Sequence, residues 1–161
     1  MDSAHPLAAL ERLLQRQIEL GERLLQCLDQ ERAALTEADT SAIEQSIGDK
    51  IDCLQVLERL EGQRQDLLLA LGFTPDHNGM TACLARWDRD DRLVGHWQAL
   101  LQNLGRCQEA NRRNGALVHA LRQQAESALA VLRGADPAAG AYDASGSLHA
   151  EAGTTRTLGR V

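Results

Sequence analysis

Apolar residues recur along most of the chain at spacings of three and four, the period of an α-helix. The first such stretch follows Pro6, a residue suited to the first turn of a helix. Its seam contains Leu7, Leu10, Leu14, Ile18, Gly21, Leu25, Leu28 and Leu35, and it is widened by Leu13, Leu20 and Leu24. So broad an apolar face is typical of a helix in a globular bundle rather than in a strict two-stranded coil.

A second long helix is predicted after a loosening at residues 36–40. Ser41 and Glu44 form a capping box, with Asp39 and Thr40 as alternative caps. Gly72 stands at the position of a helix-ending glycine, and Pro75 prevents continuation. The seam of this helix contains Ile43, Ile47, Ile51, Leu54, Leu57, Leu60, Leu67, Leu68 and Leu71.

A third long helix is expected between a cap at Asp88 or Asp90 and a closing Gly134, after a short extra helix from Met80 to Arg86. Its roughly 45 residues would span about 65 Å. The seam contains Leu93, Trp97, Leu100, Leu104, Cys107, Asn111, Asn114, Val118, Leu121, Ala125, Leu129 and Leu132.

These elements predict an all-α fold, an elongated antiparallel three-helix bundle or coiled coil. Residues 1–134 form the bundle, with the short extra helix between helices 2 and 3. Residues 135–161 are rich in Ala, Gly, Ser and Thr, and they carry too little apolar surface to offset their chain entropy. We expect a flexible C-terminal tail that binds a partner.

The third seam is interrupted by Asn111, Asn114 and Gly115. One interpretation is a polar layer that fixes register, with the glycine allowing close approach of another helix. The other is that packing against the first two helices ends here, because the third helix exceeds their length by roughly ten residues. The second interpretation predicts a partner-binding surface made of Leu117, Val118, Leu121, Leu129 and Leu132, to which the tail adds Tyr142 as a candidate anchor.

Composition and charge exclude several classes of protein. Aromatic residues make up 2% of the chain, too few for a β-sandwich or barrel core. The net charge of −6 and the interleaving of Arg with Glu and Asp exclude a nucleic-acid surface. No signal peptide or membrane span is evident, so we expect a soluble, cytoplasmic protein whose four cysteines are small buried hydrophobes.

The chain offers little for catalysis. It lacks phosphate-binding, dinucleotide-binding and zinc-hydrolase motifs, and its five histidines are scattered. Asp88, Asp90 and Asp91 are better explained as helix caps than as acid–base groups. We therefore predict neither an enzyme nor a metal or cofactor site.

Four segments together resemble the FlgN family of flagellar type III export chaperones. They are Trp97–Leu100, the Asn111-x-x-Asn114-Gly115 element, Ala128–Leu132, and Tyr142-Asp143-x-x-Gly146, in which an aspartate follows the tyrosine where the family commonly has glycine. The resemblance covers nearly the whole chain. It identifies Asn111, Asn114 and Gly115 with the family's helix motif, and Tyr142 with its tail tyrosine.

The resemblance implies a chaperone that binds the helical C-terminal segments of hook-filament junction proteins and prevents their premature assembly. It also implies delivery of these clients to the export gate or export ATPase complex, with membrane contact only through the gate. Such a chaperone would be a monomer or weak oligomer. The alternative from the residues alone is a self-associating coiled-coil scaffold or adaptor, which would form a stable oligomer.

Overall fold

The computed structural model describes residues 4–134. It contains four helices, α1 (Ala4–Glu37), α2 (Thr40–Ala70), α3 (His77–Trp87) and α4 (Arg92–Leu132). The helices account for 89% of the described residues, and no strand occurs among them. The all-α class and the short helix between the second and third long ones are confirmed, and α3 is longer at both ends than predicted.

The chain divides into two units, one ending at Val118 and the other beginning at His119. The tail boundary predicted at residue 134 and the tail itself lie at and beyond the end of the described residues. None of the helices within residues 4–134 combines the length and apolar character needed to cross a membrane.

The turn between α1 and α2 is built around Asp39. Its carboxylate accepts a hydrogen bond from the Ala42 N–H at 3.0 Å, so it caps α2. Ala38 before it adopts a positive φ of 55°, which reverses the chain. Of the predicted caps, Asp39 is therefore correct, and the capping box of Ser41 and Glu44 is wrong, because Asp39 already satisfies a free N–H of the first turn.

The end of α2 follows its prediction. Gly72 has a φ of 82°, the left-handed conformation in which glycine carries no steric penalty. The Phe73 N–H then bonds back to the Leu68 carbonyl at 2.9 Å, closing a Schellman motif. Phe73 packs against the core next to the helix that it ends.

Aspartates also cap the N-termini of α3 and α4. Asp76 caps α3 through the Gly79 N–H at 2.8 Å. Asp88, rather than Asp90, accepts the Val94 N–H at 2.7 Å in the first turn of α4. At the other end of α4, Gly134 has a φ of 72°, as the predicted closing glycine requires.

In the unit that ends at Val118, α2 runs antiparallel to α1, whereas α4 runs parallel to it. The antiparallel arrangement of α1 and α2 follows from side-chain hydrogen bonds that join Gln17 to Glu61 and Glu31 to Lys50. The parallel arrangement of α1 and α4 follows from two hydrogen bonds, in which Asn103 donates to the Ile18 carbonyl and Asn114 donates to the Leu28 carbonyl. One core cluster contains Leu10, Leu14, Leu68, Met80, Cys83, Leu84, Leu93, Trp97 and Leu100. The other contains Leu24, Cys27, Leu28, Cys53, Cys107 and Ala110.

One part of the predicted α2 seam is wrong. Ile47, Ile51 and Leu54 are exposed, at 39–47% of their surface. The buried residues of α2 are Ser46, Cys53, Arg64 and Leu68, and of these only Leu68 belongs to the predicted seam. The first half of α2 therefore packs on α1 through a face that is rotated away from its aliphatic residues.

Candidate functional site

A polar layer joins three helices near the middle of α4. Asn114 is buried, and its Nδ2 donates to the Leu28 carbonyl and to Glu31 Oε2, both at 2.8 Å. The other oxygen of Glu31 accepts from Lys50 Nζ at 2.6 Å. Residues from α1, α2 and α4 thus share one carboxylate, which fixes the register of the three helices.

The other residues of the Asn-x-x-Asn-Gly element are not part of this layer. Asn111 and Gly115 are exposed. A Cβ at position 115 would meet no atom within 4 Å, so close helix approach does not explain that glycine. Of the two asparagines assigned to a possible polar layer, only Asn114 faces the bundle.

The close approach between helices occurs at Gly21 of α1. A Cβ there would lie 3.1 Å from Nδ2 of Asn103, which donates to the Ile18 carbonyl at 3.1 Å. Cys107 Sγ donates to the Gly21 carbonyl at 3.3 Å. Because Gly21 has no side chain, α4 lies close enough to α1 for Asn103 and Cys107 to donate these bonds to the α1 backbone.

All four cysteines are buried free thiols, as predicted. Cys27, Cys53 and Cys107 share the second core cluster, one from each long helix. Burial raises the pKa of the Cys27 thiol, and the neighbouring Cys53 raises it further. Burial likewise raises the pKa of Cys83 and Cys107. Thiols in this state are poor nucleophiles and act as small apolar side chains.

Arg64 forms an ion pair within α2 and contacts Trp97 of α4. Arg64 is buried, and its guanidinium bonds both oxygens of Glu61, at 3.1 and 2.5 Å. It also lies over the ring of Trp97, 4.9 Å from the centroid. Burial by itself would raise the pKa of Glu61, but the hydrogen bond and charge of Arg64, with the amides of Gln65 and Gln17, hold that pKa below its usual value.

Beyond this ion pair, a groove separates α2 from α4. Its volume is about 490 Å³, and α1 forms its floor. The apolar lining comes from all three long helices and consists of Leu24, Leu28, Leu54, Leu57, Leu100, Leu104 and Cys107. The polar residues of the lining are Gln17, Lys50, Glu58, Glu61, Gln108 and Asn111. The sequence pattern placed Leu54, Leu57 and Leu104 in a closed seam and did not indicate this groove.

The predicted partner-binding residues lie along the C-terminal half of α4. Val118, Leu121, Leu129 and Leu132 are exposed, at 38–83% of their surface. Leu117 is half-buried, and Val131, which was not predicted, is also exposed. Tyr142, the remaining predicted residue, lies outside the described residues.

Within residues 4–134 no group of three His, Cys, Asp or Glu side chains is arranged to hold a metal ion. The ring of His77 lies tilted against Trp97, with 5.8 Å between ring centroids. The groove and the exposed apolar residues of α4 are the candidate sites.

Comparison with known proteins gives two matches. The sequence matches the family described as FlgN protein over residues 1–150. The fold is similar to the crystal structure of a chain named a flagella synthesis protein FlgN, from Pseudomonas aeruginosa. The TM-score is 0.61 and the identity 34%, over 68% of this chain and 86% of the other. No protein of curated function matches the sequence.

Proposed function

The chain belongs to the FlgN family of flagella synthesis proteins, and we propose that it is a cytosolic export chaperone for hook-filament junction proteins. In this role it binds a helical C-terminal segment of the client and prevents premature assembly. It then delivers the client to the flagellar type III export apparatus, through contact with the export gate or the export ATPase complex.

The observation that carries the proposal is the exposed aliphatic face of α4. Leu121, Leu129 and Leu132 present large apolar side chains to solvent in the unit that begins at His119. Exposed apolar surface of this kind marks an interaction site in soluble proteins. An amphipathic client helix would cover it by the helix-in-groove mode, in which aliphatic side chains spaced by three and four residues are the anchors.

Residues 135–161 supply the second part of the proposed client surface. Tyr142 combines a rigid ring with a polar tip, a combination that is frequent at protein interfaces. Ordering of a polar segment on binding subtracts free energy from the contact, which favours release of the client at the export apparatus.

The test is calorimetric titration of the purified chain with the C-terminal helical segment of the junction protein. Leu121→Asp, Leu129→Asp and a chain ending at Gly134 should each bind about tenfold or more weakly, because the substitutions place a charge on the apolar face and the truncation removes Tyr142. Leu69→Asp is the matched control, since Leu69 is an exposed leucine on α2, at 56% of its surface.

Binding of all three altered chains as tightly as the intact chain would contradict the placement of the client site. Failure of the intact chain to bind any junction-protein segment would contradict the proposed function itself.

A further inference from the structure

We propose that the groove between α2 and α4 is a second docking surface. It holds one amphipathic helix of a protein partner, with aliphatic side chains inward and a lysine or arginine beside Glu58. The inference rests on the proposed function, because we take this helix to come from the exported client.

Three helices give the groove its apolar interior. Leu24 and Leu28 of α1 form the floor, and Leu54 and Leu57 of α2 form one wall. Leu100, Leu104 and Cys107 of α4 form the other wall. The volume of about 490 Å³ is room for several side chains, but it is too small to enclose a helix backbone. A helix lying along the opening, with one row of side chains inserted, fits these dimensions.

The apolar surface continues along α2 beyond the groove. Ile47 lies one heptad before Leu54, and Ile51 lies between them on the same face. All three side chains are exposed. The stretch from Ile47 to Glu61 is about 21 Å long, which corresponds to four turns of a helix. This length matches a helical peptide, whereas a small ligand would need only the central part.

The charges at the rim decide what kind of helix fits. Lys50 is paired with Glu31, and Glu61 is paired with Arg64. Glu58 is exposed and forms no ion pair or side-chain hydrogen bond within the described part of the chain. The rim therefore presents one uncompensated negative charge, which a basic residue of the partner would neutralise. The same charge opposes contact with an anionic membrane surface.

The first experiment uses Leu54→Asp in the full-length chain. Leu54 is half exposed, so the substitution should leave the helical circular dichroism and the melting temperature close to those of the original chain. Binding of the junction-protein segment, measured by calorimetry, should weaken about tenfold, because a charge is placed against the inserted aliphatic side chains. Leu69→Asp on the same helix, outside the groove, should bind as the original chain does.

The second experiment tests the charge. Glu58→Lys should weaken binding several-fold at low salt, and the difference should shrink as salt is added, because charges at an exposed rim are screened. Glu22→Lys changes the net charge equally at an exposed position of α1 outside the groove, and it should have no such effect.

A site-resolved measurement covers the case in which a variant fails to fold. In the original chain with labelled leucine and isoleucine methyl groups, addition of the segment should shift the resonances of Ile51, Leu54 and Leu104. Unshifted resonances at these positions would overturn the inference.

The outcomes separate the two proposals. If Leu54→Asp binds normally while Leu121→Asp binds weakly, the groove is not a docking surface and the proposed function stands. If the original chain does not bind the segment, the proposed function fails and the groove loses its proposed occupant.

Discussion

Two asparagines three positions apart on α4 have different environments. Asn114 is buried and supplies a hydrogen bond to the carboxylate of Glu31, whereas Asn111 is exposed at the rim of the groove. The sequence shows that both interrupt an apolar seam. It does not show which of them meets another helix, because that depends on the partner residues Leu28, Glu31 and Lys50 of other helices.

This difference predicts opposite sensitivities to substitution. Asn114→Leu should lower the free energy of unfolding by about 1–3 kcal/mol, because Glu31 and the Leu28 carbonyl each lose a buried donor. Asn111→Leu should change it by less than about 0.5 kcal/mol, as is usual for an exposed position. Urea unfolding followed by circular dichroism measures both values. Equal effects of the two substitutions would show that the polar layer does not stabilise the bundle.

At the scale of the helix, the sequence predicts α1 well and the first half of α2 poorly. In α1 the apolar residues lie on one broad face, and most of them, including Leu10, Leu14 and Leu28, are buried. In α2 the aliphatic residues and the buried residues follow different faces, because Ser46 and Cys53 point to α1 where Ile47 and Leu54 were expected. A periodic pattern identifies a helix and its apolar side, but it cannot say whether this chain or a partner covers that side.

Helix ends were predicted more reliably than helix faces, because a cap depends on neighbouring residues of the chain. Gly72 and Gly134 both adopt the positive φ that their positions suggested. Where several caps compete, as at residues 39–41, local sequence leaves the choice open. The positive φ of Ala38 places the Asp39 carboxylate, and not the Ser41 box, at the first turn of α2.

The two glycines at positions 21 and 115 provide a matched test of helix contact. Gly115→Ala should stabilise the protein by about 1 kcal/mol, because alanine favours a helix and the space around it is open. Gly21→Ala has the same intrinsic gain, but its Cβ would crowd the Asn103 amide and weaken its bond to α1. We expect it to be neutral or destabilising in thermal unfolding. Equal stabilisation by both substitutions would contradict the close approach of α1 and α4 at Gly21.

For the whole molecule, the four sequence segments that resemble the FlgN family were sufficient to indicate that family. The family match over residues 1–150 confirms it, and so does the similar crystal structure, whose sequence is 34% identical. The groove could not be predicted, because it results from where α2 and α4 lie on α1 rather than from any local motif. In the sequence, Glu58 and Lys50 stand beside apolar residues in the way that is usual where the apolar face of an amphipathic helix meets its polar face.

We propose that the chain associates with a client protein rather than with itself. The most direct test is the mass of the purified chain in solution, measured by light scattering at low micromolar concentration, alone and mixed with a hook-filament junction protein. We predict a mass close to the 17.6 kDa of one chain when it is alone, and a discrete complex of higher mass when the client is present. A stable oligomer of the chain that forms no complex with the junction protein would contradict this proposal and favour a structural scaffold.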